Sequence, residues 1–295
     1  MRAILFLAVT AAACKDAPDR PAPTNEVWPE APRPTATTGT RKLRYQPANM
    51  PGYRITASGG APKGAPVRLA FQLALDLRLG AGATPRERDA SIGLLDLDVS
   101  GVVTMKMRLD ESGLSLDTGE GAQHWTRGEP APFDVAAMVD DPFATLVFDD
   151  DRRMTVRAIE SHPFAALDMG DMLDGALVLF PELPDEPIAA GQHWMVTRST
   201  PVGASGTRID GTSRLTYAGD GACPSGTSRC ALIELAATSN SAVVDAATVV
   251  YAFAGKLFFD VERGILDESH VRLDMNVARG PAALAVNATY VIRPI

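Results

Sequence analysis

Alternation of apolar and polar residues is the strongest pattern along this chain. From residue 67 to residue 79 an apolar side chain occupies every second position, and residues 95–109 repeat the pattern with charged side chains in between. A period of two places one face of a β-strand in a core and the other in water. Strands of parallel sheets, which are buried on both faces, have continuous apolar runs instead. The pattern therefore predicts long antiparallel strands in a twisted, curved sheet.

A second set of alternating segments closes the chain. Residues 271–277 and 284–292 again place apolar side chains at every second position, and residues 249–260 before them are predicted to form another long strand. Turn residues separate them, with a Glu-Arg-Gly sequence at 262–264 and an Arg-Gly-Pro sequence at 279–281. The two sets predict two β-rich halves.

One segment between the two sets has the period of a helix. Pro163 suits a first helical position, with Ser161 and His162 before it as candidate caps. Apolar residues then recur at helical spacing and form one stripe: Ala165, Met169, Met172, Leu173, Ala176, Leu177 and Phe180. Pro181 ends the segment. The chain is therefore predicted to have an α+β fold, mainly antiparallel β, with one substantial amphipathic helix between the two halves.

The first fourteen residues are typical of an export signal. Arg2 supplies a positive charge, a short apolar run follows, and Cys14 comes after three alanines. This order predicts a bacterial lipoprotein signal in which Cys14 is lipidated and becomes the mature N-terminus. Ordinary secretion with cleavage nearby and an uncleaved N-terminal anchor are the alternatives. The apolar run is too short to span a bilayer as a helix.

These patterns divide the chain into five segments. Residues 1–13 are the predicted lipoprotein signal peptide, and 14–42 are the lipidated cysteine with a Pro-rich, disordered tether. Residues 43–160 form the N-terminal β-rich half, 161–187 the connecting helix and a Pro-rich loop, and 188–295 the C-terminal β-rich half.

Cysteine usage is consistent with export. Cys223 and Cys230 are the two cysteines that remain after Cys14. In an oxidising compartment a closely spaced pair predicts a disulfide, at the neck of a hairpin in this case. A redox-active pair and two free thiols are the alternatives, although a redox pair favours the tighter Cys-x-x-Cys spacing.

The composition and the motifs of the chain argue against several classes of function and assign none. The chain has 295 residues, is 46% hydrophobic and carries a formal net charge of −8. It offers no basic stripe for phosphates, so we expect no nucleic-acid partner. A Gly-x-Ser-x-Gly elbow, a His-Glu-x-x-His pair, a phosphate loop and a dinucleotide fingerprint are all missing from the sequence. We therefore expect no enzymatic activity, no cofactor and no metal site.

Three short motifs resemble a family of uncharacterised bacterial envelope lipoproteins. They are Phe180-Pro181-x-Leu183-Pro184, Pro187-x-x-x-Gly191-x-x-Trp194 and Phe259-Asp260-x-x-x-Gly264-x-Leu266. The resemblance covers the chain from residue 180 to its end, together with the lipoprotein signal. It implies a fold and a location but no activity and no catalytic residues. Turn and strand chemistry accounts for the motifs, with Trp194 anchoring a strand in the core.

These observations lead to one main functional hypothesis and one alternative. The main hypothesis is a non-enzymatic, membrane-anchored envelope lipoprotein that faces the periplasm and acts as a structural or interaction component. Lys15 after the lipidation site favours the outer membrane over the inner membrane. The alternative is a periplasmic carrier or sensor of an apolar, lipid-like ligand. Its candidate lining residues are Met169, Met172, Leu173, Leu177 and Phe180.

Overall fold

The computed structural model of the protein describes residues 39–132, 134–149, 154–159, 161–163, 180–202, 207–226, 228–244 and 247–295. The predicted signal peptide, Cys14 and nearly all of the predicted tether lie outside these residues. In the described part, no helix has the length and apolarity needed to cross a membrane.

Strands dominate the described residues. In chain order they are β1 Thr40–Arg41, β2 Tyr53–Gly60, β3 Leu69–Leu79, β4 Glu87–Gly101, β5 Met105–Asp110, β6 Gly113–Asp117, β7 Ala122–Thr126, β8 Ala144–Phe148, β9 Met154–Ala158, β10 Ile188–Ala189, β11 His193–Val202, β12 Thr207–Ala222, β13 Arg229–Ser239, β14 Ala242–Val244, β15 Ala247–Asp260, β16 Ile265–Arg279 and β17 Ala282–Pro294. Two helical elements lie wholly within these residues, α1 (Val135–Asp140) and a 3₁₀ turn at Pro47–Asn49. Pro163, the last residue of the described segment 161–163, is also helical.

One antiparallel sheet contains all of these strands except β1 and β10, which pair with each other. Its main path runs β11-β12-β13-β15-β16-β17-β2-β3-β4-β5-β6-β7, with β14 beside β15, and with β8 pairing both β4 and β9. The C-terminal strand β17 pairs with β2, which places Ile292 opposite Ile55. The two alternating sets of the sequence are thus joined in one continuous sheet.

The predicted α+β fold class is wrong. The described residues are almost entirely antiparallel β, and the α-helix that lies wholly within them, α1, has six residues rather than being a substantial amphipathic element. Residues 164–179, which hold most of the helical stripe, lie outside the described residues. The class follows from the strands, because the long pairings from β11 to β7 build one sheet that dominates the fold.

Helix α1 was missed by the sequence analysis, although its signals are present. Asp134 caps it by accepting a hydrogen bond from the backbone N–H of Ala137 at 3.0 Å. Val135, Met138 and Val139 are buried at positions i, i+3 and i+4. The apolar run is only one and a half turns long, and so short a pattern does not separate a helix from a buried strand.

The alternating segments of the sequence form strands with one buried face. In β2, Tyr53 and Ile55 are fully buried while Arg54 between them is exposed. Leu75 of β3 continues the buried row, since it lies opposite Ile55 on one side and Leu95 on the other. The inner face of the sheet therefore carries the main core of the protein.

Two further segments contribute buried side chains to this core. One runs from Leu43 to Met50 and the other from Phe180 to Ile188. The ring of Tyr45 packs against Phe259 with centroids 5.4 Å apart, and its hydroxyl donates a hydrogen bond of 2.6 Å to the carbonyl of Pro181. That bond ties the two segments together inside the core.

Candidate functional site

The interior is the first place to look for the predicted apolar-ligand site. Met169, Met172, Leu173 and Leu177 lie outside the described residues, so the structure does not place them. Phe180 is 1% exposed and packs edge-on against Tyr53, with ring centroids 4.9 Å apart. This candidate lining residue is therefore part of the packed core.

The cavity beside Phe180 is too small for a lipid-like ligand. Its volume is about 20 Å³, which is room for about one water molecule. A small-molecule pocket encloses roughly 300 Å³ or more. The described interior beside Phe180 is therefore almost completely filled by protein side chains.

Arg198 of β11 lies at the wall of that cavity and joins β11 to the segment after Phe180. Its guanidinium is 3.5 Å from the carbonyl oxygen of Phe180 and 3.8 Å from the carboxylate of Glu182. Burial lowers the pKa of Arg198, and the nearby carboxylate of Glu182 opposes that shift. The pair fixes the position of residues 180–182 against the edge of the sheet.

An open groove lies beside the same edge of the sheet. It encloses about 640 Å³ and is lined by residues 182–188 and 191–196. Strand β11 ends the strand order, so among the described residues it has a neighbour on one side only. Met195 of β11 is 57% exposed here, one of the largest apolar exposures in the described part of the chain. We call this surface the edge groove.

The walls of the edge groove are fixed by hydrogen bonds. Trp194 donates its indole N–H to the carbonyl of Glu182 at 2.7 Å, and Gln192 accepts from the backbone N–H of Ala189 at 2.9 Å. Gly191 adopts a positive φ of 84° and donates to the carbonyl of Tyr217 at 2.7 Å. The Pro-x-x-x-Gly-x-x-Trp motif therefore builds one rigid wall of the groove.

The Cys223–Cys230 pair lies at the turn between β12 and β13, close to Asp220, which binds Arg41 of β1. The two sulfur atoms are 2.12 Å apart, at disulfide distance, as the sequence predicted. Cys230 lies in β13, and both cysteines belong to a small separate cluster of buried residues together with Leu232 and Phe258. We call residues 223–230 the disulfide loop.

Asp220 is the most heavily bonded carboxylate near the disulfide loop. It is fully buried, and it accepts hydrogen bonds of 2.6 and 2.9 Å from Arg41 and another from the hydroxyl of Tyr217. Arg229 lies 3.2 Å from the same carboxylate. The hydrogen bonds with Asp220 raise the pKa of Arg41. This cluster fastens β1, the point where the N-terminal segment joins the body, to β12.

Two more buried aspartates flank the loop, and they differ in how well they are satisfied. Asp260 accepts from the backbone N–H groups of Glu262 and Arg263 at 3.0 and 2.9 Å, which shapes the turn before Gly264. Asp267 accepts one bond of 3.1 Å from the backbone N–H of Ser225 through Oδ2, while its buried Oδ1 has no partner in the described part of the chain.

The sequence indicates the cysteine pair and the motif of the groove wall but not the groove or the buried aspartates. The available signals were weak. Asp260 belongs to the Phe-Asp-x-x-x-Gly motif, which indicated a turn, and Asp220 lies between two glycines with nothing local to indicate burial. Its partner Arg41 is 179 residues away along the chain.

Comparisons with known proteins give only weak similarity. Neither protein-family models nor curated proteins give a match. Among solved structures, the chain is similar to a protein of unknown function of the DUF3598 family from Nostoc punctiforme, at 10% identity and a TM-score of 0.15, covering 86% of this chain and 100% of that one. That neighbour also belongs to a family without an assigned function, and nothing in the similarity concerns a lipoprotein. A TM-score this low carries no argument about fold or activity.

Proposed function

We propose that this protein is a non-enzymatic envelope protein, tethered to the membrane through Cys14, that acts by binding a protein partner in the edge groove. The observation that carries the proposal is the preformed groove of about 640 Å³ beside the end strand β11. Its walls are held by hydrogen bonds before any partner arrives, so binding requires little ordering of the groove.

The chemistry of the groove suits an extended polypeptide. A strand at the end of a sheet offers backbone groups for pairing with an added strand. Met195 supplies a flexible apolar contact, while the exposed Asp185 and Glu186 give the opposite wall a negative charge. These features favour a partner segment that is extended and basic.

Partner binding has more support than carriage of an apolar ligand. The described interior beside Phe180 leaves only about 20 Å³. Native mass spectrometry of the protein purified from its own host should therefore show no co-purifying lipid. A reproducible bound lipid would favour the carrier instead.

The membrane tether is tested by replacing Cys14 with Ser. Because one thiol would carry the attachment, the variant should leave the membrane fraction and become soluble in the periplasm. A variant in which Cys223 and Cys230 are both replaced by Ser is the matched control, and it should stay with the membrane. If the Cys14→Ser protein sediments with membranes as the parent does, the tether is wrong. Separation of inner and outer membranes then tests the outer-membrane location that Lys15 favours.

Partner binding is tested with a photoreactive side chain placed at Met195 in the host. It should yield one discrete cross-linked adduct, whereas the same side chain at Val243, which is 66% exposed, should not. The adduct should disappear when an excess of a synthetic basic peptide competes for the groove. It should persist when an acidic peptide of equal length is added instead. Equal adducts at both positions, or none at Met195, would contradict a binding role for the groove.

A further inference from the structure

A third group, the carboxylate of Asp267, lies beside the disulfide loop, and one of its two oxygen atoms has no hydrogen-bond partner among the described residues. The two sulfur atoms of Cys223 and Cys230 and a carboxylate oxygen of Asp267 all lie within 4.8 Å of one another, and all three residues are buried. Buried carboxylate oxygens normally accept hydrogen bonds. Asp267 Oδ1 accepts no hydrogen bond from the described residues, so this oxygen is available to bind a metal ion.

Backbone geometry brings Asp267 to this position. The pairing of β15 with β16 shifts register there, since Phe258 lies opposite Glu268 and Phe259 opposite Leu266. Asp267 is the extra residue of this bulge, and a bulge redirects the side chain it carries. The bond from the N–H of Ser225 to Oδ2 then holds the carboxylate at 3.1 Å from the loop.

The positions of both cysteines are held by more than their S–S bond. Cys230 is paired with Gly221 on one side and with Asp260 on the other. The backbone of Cys223 donates to the carbonyl of Ser228 at 3.1 Å and accepts from Gly226 at 2.8 Å. Opening the disulfide therefore leaves both thiols near the carboxylate.

We propose that reduction of the Cys223–Cys230 disulfide turns this loop into a zinc site in which Asp267 is the third protein ligand. A dithiol reductant supplies two electrons and two protons, which break the S–S bond and give two thiols, and the reductant becomes a disulfide. Zinc then binds the two thiolates and the carboxylate, and two protons are released. Two thiolates and one carboxylate, with water in the fourth position, are a donor set that Zn²⁺ accepts in tetrahedral geometry.

The required movement is small. Two thiolates on one tetrahedral zinc ion lie about 3.8 Å apart, given Zn–S bonds of about 2.3 Å. The Cα atoms of the cysteines are 4.9 Å apart, so rotation of the side chains with a modest shift of the loop brings the sulfurs to that separation. The site fills only when the disulfide is open, which makes metal binding dependent on the redox state.

The experiment uses the full chain with Cys14 replaced by Ser, so that the loop cysteines are the only thiols. The protein is reduced with a phosphine, freed of reductant under anaerobic conditions and titrated with Co²⁺ and then Zn²⁺. The reduced protein should bind one equivalent of cobalt with thiolate-to-cobalt charge-transfer absorption, and zinc should displace it. The oxidised protein should bind neither metal. Zinc should also raise the Tm of the reduced protein and not that of the oxidised protein.

Asp267→Asn separates the proposed three-ligand site from binding by two thiols alone. It should weaken zinc binding about tenfold or more, because loss of even a supporting carboxylate has effects of that size. Asp274→Asn, on the same strand but paired with Arg272, is the matched control and should bind like the parent. Equal affinity in the Asp267 and Asp274 variants would overturn the proposal.

Two further measurements cover failures of folding. If Asp267→Asn does not fold, Asp267→Ser takes its place, and zinc-edge X-ray absorption of the reduced parent must show two sulfur ligands with the remainder oxygen. Four sulfur ligands would mean that zinc bridges two chains, and the proposal would be wrong. Circular dichroism of the reduced, metal-free chain must retain the β-spectrum, since loss of the fold on reduction also contradicts a site held by the strands.

Discussion

Removing the carboxylate of Asp220 tests how the N-terminal end of the body is fastened. Its side chain is fully buried and accepts hydrogen bonds from Arg41 and from the buried Tyr217. Truncating one member of a buried, charged network leaves its partners unpaired, and this costs several kcal/mol. We expect Asp220→Ala to lower the free energy of unfolding by about 3 kcal/mol.

The partners of Asp220 should matter less. Arg41 and Arg229 keep 36% and 48% of their side chains exposed, so water screens each pair, and when either arginine is removed the other one and Tyr217 still bind the buried carboxylate. Arg41→Ala and Arg229→Ala should each lower the free energy of unfolding by about 0.5–1 kcal/mol. Tyr217→Phe, which removes one buried hydroxyl and keeps the ring, should lower it by about 1 kcal/mol.

The assay is urea unfolding of the full chain carrying Cys14→Ser, with tryptophan fluorescence as the signal that monitors unfolding. For a body of this size the loss in Asp220→Ala corresponds to a Tm lower by about 6–12 °C. Asp220→Asn keeps the shape and one acceptor, and it should fall between the parent and the alanine variant. If Asp220→Ala costs no more than Arg41→Ala, then the carboxylate is not the centre of this network.

Two other predictions concern the disulfide and acid stability. Mass spectrometry of the non-reduced protein should find Cys223 joined to Cys230, and two free thiols in protein freshly isolated from its host would contradict the pairing. Hydrogen bonds from Ser112, and then from Arg108, lower the pKa of Asp110 to about 2 from an ordinary value of 3.8. The stability that Asp110 contributes is therefore complete above its unfolded pKa and lost as the pH falls towards 2. Asp110→Asn should flatten that part of the acid dependence in urea midpoints; an unchanged profile would show that this aspartate contributes nothing.

The strands were predictable because the evidence for them is local. In β2 and β3 each buried side chain is two residues from the next, and the face it occupies depends on that spacing alone. The fold class was not predictable in the same way, because it depends on which strands pair. The pairing of β17 with β2 joins residues that are more than two hundred positions apart in the sequence. No periodicity in the sequence encodes such a pairing.

The core and the sites depend on contacts between distant parts of the chain in the same way. Tyr45 is buried because Pro181 accepts its hydroxyl and Phe259 packs on its ring, although its own sequence neighbours are typical of a linker. The edge groove forms where residues 182–188 meet β11, and only its turn motif was visible beforehand. Asp267 is buried through a bulge, which has no distinct sequence signal.

The pairing of β1 with β10 gives the fold a mechanical consequence. A pull on the N-terminal segment would be applied at Thr40 and Arg41, the two residues that pair with Ala189 and Ile188. Part of the load passes through Arg41 into the buried Asp220 of β12, the strand next to the end strand β11, and part passes into Ile188, which also lines the edge groove. Tension on the N-terminal segment and the shape of the groove are therefore coupled through a pairing only two residues long.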